Sequence, residues 1–251
     1  MPVAAIIPAR YASTRFPGKP LASETGKPLI QHVYERVSAA RRVDRVIVAT
    51  DDDRIHQAVR GFGGESEMTR EDHPSGTDRI AEVVRRMEPD HEIVLNVQGD
   101  EPEIESASID RLVEVLESHP DCPVATLACP FPTRDAAEKP DNVKVVCDHR
   151  GRALYFSRSL IPFPRDNDAD PTNDSPWLLH LGIYAFRRKF LLEFAAWPAS
   201  DLERTEKLEQ LRVLERGYRI AVGIVERAAV GVDTPEDYKA FVERFKAGAT
   251  H

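Results

Sequence analysis

The chain has 251 residues, of which 41% are hydrophobic, 30% charged and 7% aromatic, enough apolar material to bury a core without disulfide or metal staples. Its formal charge of -8, from 34 Lys and Arg against 42 Asp and Glu, argues against a nucleic-acid partner, which needs a basic face to release counterions from a polyanion. Cys122, Cys129 and Cys147 form no CxxC pair and stand near no histidine at zinc-ligand spacing, so reduced thiols in a cytoplasmic protein are expected.

The first apolar run, Val3–Ile7, is cut by Pro8 and Arg10 and is too short for a signal peptide or a membrane span, and no later segment is long enough either, so no membrane partner is expected. The sequon Asn173-Asp174-Ser175 is accordingly read as a chance match. Val3–Ile7, Val46–Ala49, Ile93–Val97 and Val124–Leu127 have the compact, β-branched character of strands. Between them, apolar residues recur at helical spacing: Leu29, Ile30, Val33, Tyr34 and Val37, then Ile80, Val83, Val84 and Met87, then Ile109, Leu112, Val113 and Leu116. This strand–helix alternation predicts a Rossmann-like, doubly wound, mostly parallel α/β sheet, with its ligand sites beyond the carboxyl ends of the strands.

After about Pro130 the rhythm changes to strands joined by short turns, Val143–Cys147 and Ala153–Phe156 flanking His149-Arg150-Gly151, which predicts a smaller antiparallel subdomain. Phe163–Pro176 reads as a long polar loop, Leu181–Phe186 as a strand, Thr205–Arg216 as a helix, Ile220–Val225 as a strand, and Pro235–Phe245 as a terminal helix opened by proline.

Three loops carry the chemistry. The first, Pro8 to Pro20, brings Arg10, Arg15 and Lys19 together with Ser13, Thr14 and Gly18 just past the first strand. Guanidinium groups fork onto phosphate oxygens and an ammonium acts as a point charge, so a polyphosphate is the natural guest; a merely solvated basic loop is the alternative. Neither GxxxxGK[ST] nor a helix-opening glycine run is present, since Gly61-Phe62-Gly63-Gly64 follows a helix and turns the chain. The second, Gln98-Gly99-Asp100-Glu101-Pro102, places carboxylates at another strand end, where they would suit Mg²⁺ or simply begin a turn. The third, Gly231 to Asp237, would cap the last helix through Asp233 or Thr234. Ser75-Gly76-Thr77-Asp78-Arg79 looks like a helix N-terminus, which can also present free N–H groups to an anion or a base edge.

Taken in order, Ile7-Pro8-Ala9-Arg10 through Lys19-Pro20-Leu21, Ala49-Thr50-Asp51, Ser75–Arg79, Asn96–Pro102, His180-Leu181-Gly182-Ile183-Tyr184, Leu208-Glu209-Gln210-Leu211-Arg212 and Gly231–Asp237 closely resemble the 3-deoxy-manno-octulosonate (Kdo) cytidylyltransferases, or CMP-Kdo synthetases. The resemblance spans nearly the whole chain. It implies a nucleotidyltransferase-type core over residues 1–130, an antiparallel sugar-binding and dimerisation region over 131–187, and core-completing helices and a strand over 188–251. It also implies transfer of CMP from CTP to the anomeric hydroxyl of Kdo, with release of pyrophosphate, for lipopolysaccharide synthesis by a cytoplasmic homodimer.

By the same resemblance, Arg10, Ser13, Arg15 and Lys19 hold the triphosphate, with Arg10 and Lys19 stabilising the departing pyrophosphate. Asp100 and Asp233 are the Mg²⁺ ligands, and Ser75, Gly76, Arg79 and Gln98 contact the nucleotide. Arg158, His180, Glu206 and Gln210 fall on the sugar-acid side, where a guanidinium opposite the substrate carboxylate would give specificity. No histidine in the nucleotide-facing motifs is an obvious general base. The chain departs from its relatives in having Arg204 where histidine is common and Ala229-Val230 where glycine is frequent. Two other readings stand beside this one: a cytidylyltransferase for another acidic sugar, either 8-amino-Kdo, whose enzymes share nearly every motif, or sialic acid, whose enzymes usually have a Gly-Gly-Ser first loop; and a catalytically silent nucleotide sensor on the same fold.

Overall fold

Val3–Ala9 forms the first strand (β1) and buries every residue except Pro8, as expected of a strand covered on both faces. Our computed structural model describes residues 1–165 and 176–248, and the chain divides into two units, Met1–Asp110 with Ala229–His251, and Arg111–Ala228.

In the first unit β1 is followed by a 3₁₀ turn at Lys19–Leu21, helix α1 (Leu29–Ser38), β2 (Arg45–Thr50), α2 (Asp53–Gly61), β3 (Ser66–Met68), α3 (Gly76–Arg86) and β4 (Ile93–Asn96). The strands lie in the order β3-β2-β1-β4 and all three pairings are parallel, as the alternation of strand and helix periods predicts. Helix α1 buries Leu29, Ile30, Val33 and Val37, and α3 buries Ile80, Val83 and Val84, with Met87 one step beyond as its C-cap. Helix α4 (Ser106–Ser118) follows.

The second unit contains β5 (Val124–Pro130), α5 (Arg134–Glu138), β6 (Lys144–Cys147), β7 (Ala153–Ser157), β8 (Leu178–Arg187), α6 (Arg188–Phe194), α7 (Asp201–Glu206), α8 (Leu211–Glu215) and β9 (Ile220–Ile224). Here β5 pairs antiparallel with β8 and parallel with β9, while β6 pairs antiparallel with β7 and β8. The antiparallel strands foreseen after Pro130 are therefore present. The register of β5 against β8 shifts at Thr126/Leu127, and the Thr126 hydroxyl sits 3.0 Å from the Leu181 carbonyl and 2.8 Å from the Ile183 carbonyl, stitching the bulge.

One predicted helix is broken in two. Thr205–Arg216 reads as continuous from its periodicity, but Lys207 adopts φ 56 and ψ 45, a left-handed C-cap that ends α7. That helix also begins earlier than expected, because Ser200 and Glu203 form a reciprocal capping box. The polar loop Phe163–Pro176 lies largely, and the sequon at Asn173 wholly, outside the described residues. The chain returns to the first unit with α9 (Pro235–Gly248), whose Tyr238, Phe241 and Val242 pack with Leu29 of α1 and with Val232 in one buried cluster. Phe16 and Ala22 lean on the same cluster.

Candidate active site

That cluster explains how two loops far apart in sequence come together. Phe16 lies between Arg15 and Lys19, and Val232 precedes Asp233, so burying both aromatic and aliphatic anchors in one core draws the basic loop and the acidic loop to the same place. Phe16 meets Tyr238 with ring centroids 5.7 Å apart, and the Tyr238 hydroxyl accepts the Glu24 N–H at 2.7 Å. The acidic loop after β4 joins them through register: β1 and β4 run parallel with Ile6 opposite Asn96, so the chain segments that follow both strands leave the same edge of the sheet side by side.

The cavity at this edge measures about 410 Å³ and is lined by Pro8, Arg10, Ser13, Arg15, Lys19, His73, Ser75, Gly76, Arg79, Gln98, Asp100 and Asp233, among others. It therefore gathers every residue expected to touch the nucleotide or the metal. Lys19 donates to Asp100 at 2.8 Å and to the Val232 carbonyl at 2.7 Å, and its ammonium is 3.7 Å from Asp233. Arg15 reaches Asp233 at 3.1 Å. Arg10 forms no ion pair with another described residue and is exposed.

The third loop shows why Asp233 is available. Thr234, rather than Asp233, caps α9: its hydroxyl accepts the Asp237 N–H at 3.1 Å. The Asp237 carboxylate in turn accepts the backbone N–H groups of Asp233 and Thr234 and the Thr234 hydroxyl. Those contacts hold the Asp237 carboxyl below the usual carboxylate range. With the cap made by its neighbours, the Asp233 side chain turns to the cations.

Two glycines make the loop geometry possible. Gly18 has φ 72, and a Cβ there would lie 3.1 Å from the Tyr11 ring, whose carbonyl accepts the Gly18 N–H at 3.0 Å. Gly99 lets the acidic loop pass over β1, since a Cβ would come within 3.0 Å of the Pro8 carbonyl oxygen. Tyr11 also carries the Arg54 guanidinium over its ring, 3.4 Å from the centroid, and Asp52 grips that guanidinium through two bonds.

The nucleotide-side residues are not all free to contact ligand. Ser75 caps α3, its oxygen accepting the Asp78 N–H at 3.2 Å and its hydroxyl facing the Asp78 carboxylate at 2.7 Å. Arg79 is 4% exposed and donates to Asp51 and Thr69 at 2.5 Å each, so at the cavity wall it ties α3 to the segments that follow β2 and β3. Gln98 Nε2 donates to Asn96 at 3.3 Å. Next to Asp100, desolvation and that neighbour's charge push Glu101 up to about 7. Sequence reasoning missed His73, which lines the cavity with its ring on Glu82; the available signal was a carboxylate within the otherwise apolar stripe of α3. It also missed the Tyr11–Arg54 stack, which no spacing announces.

The four sugar-side residues all lie in the second unit. Glu206 accepts the Ser157 hydroxyl at 2.6 Å and the Arg158 N–H at 2.9 Å. Arg158 directs its Nε to the Glu206 carbonyl at 2.7 Å and one Nη to the Pro140 carbonyl at 3.1 Å, so part of the guanidinium is occupied by backbone. His180 lies against Phe156, with centroids 4.8 Å apart, and against Tyr184; its Nε2 is 3.1 Å from the Thr126 hydroxyl. Desolvation pushes its pKa down from 6.5 to about 3. Gln210 is buried and its amide nitrogen has no hydrogen-bond partner among the described residues, the state of a group kept for a ligand or a water. Lys144, fully buried, donates to the carbonyls of Lys139, Asn142 and Arg158.

A parallel α/β sheet with cations and two carboxylates converging past its strand ends is the frame of an enzyme that handles a nucleoside triphosphate. A sequence profile described as cytidylyltransferase matches residues 4–220, and the chain belongs to that family. It is 54% identical over 98% of its length to the whole of the 3-deoxy-manno-octulosonate cytidylyltransferase of Geobacter sulfurreducens. It is also 49% identical to the 8-amino-3,8-dideoxy-manno-octulosonate cytidylyltransferase of Shewanella baltica, covering 97% of this chain and 98% of that one. Among solved structures, a CMP:2-keto-3-deoxy-manno-octonic acid synthetase complexed with CTP superposes with a TM-score of 0.92 at 43% identity, covering 99% of this chain and 100% of that one.

Proposed function

We propose that the chain transfers CMP from CTP to 3-deoxy-manno-octulosonate, releasing pyrophosphate and supplying an activated sugar for lipopolysaccharide synthesis. The observation that carries this reading is the convergence of Lys19, Arg15, Asp100 and Asp233 in one cavity in a chain whose relatives at 53% and 54% identity bear the name of that activity.

In the reaction the anomeric hydroxyl oxygen bonds to the α-phosphorus. The bond from that phosphorus to the oxygen shared with the β-phosphorus breaks, pyrophosphate departs with that oxygen, and the hydroxyl proton passes to solvent. Charge grows on the departing oxygens, and pre-set cations stabilise it without reorganising. In this reading Arg10, Arg15 and Lys19, all in the cavity lining, supply those cations, with Ser13 and the backbone of the loop adding donors. Asp100 and Asp233 suit Mg²⁺, a hard ion that takes one or two protein carboxylates and completes its sphere with phosphate oxygens and water. When bound, the ion would neutralise phosphate charge and acidify the attacking hydroxyl. In the second unit, Arg158, His180, Glu206 and Gln210 form the proposed sugar-acid subsite.

The reading also includes a cytoplasmic homodimer joined through the antiparallel region 131–187, where Leu154 is 62% exposed. Among the described residues no helix is long and apolar enough to cross a membrane. The test is pyrophosphate release with CTP, Mg²⁺ and a panel containing Kdo, 8-amino-Kdo and sialic acid. Turnover with Kdo above the other two supports the proposal; preference for the amino sugar, or binding of CTP without turnover, overturns it. Sedimentation at micromolar protein tests the dimer.

A further inference from the structure

His73 takes no part in the proposed transfer, yet it lines the cavity with a side chain only 8% exposed. Its Nε2 meets a carboxylate oxygen of Glu82, which also accepts the Arg70 N–H and a bond from Arg86. Burial raises the Glu82 pKa, but these partners outweigh it and leave the carboxyl below its usual range. An ionised carboxylate only accepts, so the ring nitrogen that faces it, Nε2, carries a proton, and in the singly protonated ring Nδ1 presents a lone pair. No described residue donates to that nitrogen.

The other side-chain groups on this wall are committed: Arg79 to Asp51 and Thr69, Gln98 to Asn96, and Ser75 to Asp78. The cations and carboxylates that suit the triphosphate and its metal belong to other segments, around Lys19, Asp100 and Asp233. What the wall with His73 offers a nucleotide is a fixed, buried acceptor. Cytosine carries an exocyclic amine, a donor, where uracil carries a carbonyl oxygen, an acceptor. A lone pair at that place attracts the first and repels the second, and a fixed polar group rejects a mismatched partner more strongly than a shape does.

We propose that His73, oriented by Glu82, is a specificity residue that accepts a hydrogen bond from the cytosine amine through Nδ1 and so selects CTP over UTP. The inference rests on the reading of the cavity as a CTP site. It extends that reading by naming the side chain that distinguishes the two pyrimidines.

Two substitutions separate this role from a structural one. His73→Gln keeps an amide N–H where Nε2 stands and so retains the Glu82 contact while deleting the Nδ1 acceptor. His73→Asn keeps an amide near the Nδ1 position and gives up the Glu82 contact. Binding of CTP and UTP in the presence of Mg²⁺, at mildly alkaline pH, is measured by calorimetry. His73→Gln is expected to melt near the wild type but to lower the CTP-to-UTP affinity ratio about tenfold, with His73→Asn retaining more of the ratio. An unchanged ratio in His73→Gln, or equal losses for both nucleotides, overturns the proposal.

In the wild-type protein, ¹⁵N spectra of the histidine side chains supply a measurement independent of any variant. The Nδ1 resonance of His73 should move on adding CTP and stay in place with UTP, and a static resonance with CTP bound refutes the assignment. If the wild type itself fails to prefer CTP, the proposed function falls. If it prefers CTP and His73→Gln does too, only the role of His73 falls.

Discussion

Asp100 and Asp233 turn their carboxylates to one ammonium: Lys19 Nζ lies 2.8 Å from the first and 3.7 Å from the second. Two acids held this near each other repel unless a cation stands between them. Lys19, with 13% of its side chain exposed, supplies that charge. A divalent ion that arrives with the triphosphate would therefore compete with Lys19 for the acids and free the ammonium for the phosphates. The Lys19 side chain would thereby couple metal binding to phosphate binding.

Asp100→Asn tests the acid that makes the shorter contact. The substitution preserves shape and removes one negative charge from beside Lys19, so the fold should hold, with a melting temperature within a few degrees of wild type. Turnover with Mg²⁺ and CTP is expected to fall by about a hundredfold or more, the scale seen when one electrostatic stabiliser of a transition state is removed. Wild-type kinetics in this variant would exclude Asp100 as a metal ligand.

Lys19→Met should separate the two partners of the ammonium. Without it the carboxylates of Asp100 and Asp233 repel, so affinity of the nucleotide-free protein for Mn²⁺, used as a probe, should rise by about tenfold, while kcat with CTP drops by about a hundredfold. Calorimetry with Mn²⁺ reads the first effect and pyrophosphate release the second. A loss in both would mean that Lys19 shapes the loop and does not compete with the metal.

Much of this was legible in the sequence because hydrophobic period and loop chemistry are local. The apolar runs Val3–Ile7 and Ile93–Val97 announced the strands found at Val3–Ala9 and Ile93–Asn96, and a doubly wound sheet then dictated where the cations of the first loop and the carboxylates of the second would emerge. The anchoring of Phe16 and Val232 in one cluster depends on tertiary packing, which period does not encode. The break at Lys207 was hidden for a different reason: a non-glycine residue in the left-handed region carries no compositional mark. Arg79 shows a third kind of gap, since its motif marks it for the nucleotide but not that Asp51 and Thr69 already hold its guanidinium.

Lys144 is a cation with no exposed surface whose ammonium ties the carbonyls of Lys139, Asn142 and Arg158. Desolvation lowers its pKa, with Glu206 acting in the opposite sense. Lys144→Met would leave those carbonyls without their donor and cost about 3 kcal/mol in chemical denaturation. Because one carbonyl belongs to Arg158, KM for the sugar should rise more than KM for CTP. An equal change in both constants would detach Lys144 from the sugar side.

His180 predicts how stability depends on acidity. Packed against Phe156, Tyr184 and Thr126, its imidazole is pushed by desolvation from 6.5 to about 3. An unfolded chain therefore takes up a proton on this residue near pH 6.5, whereas the folded chain stays neutral there until about pH 3. Between those values unfolding absorbs a proton, so the stability that the neutral ring contributes is present above the window and is lost as the pH falls through it. His180→Gln removes the titration while keeping a polar group near Thr126. Urea denaturation across the window should show a shallower acid decline for the variant than for the wild type, and parallel curves would mean that His180 titrates alike in the folded and unfolded chains.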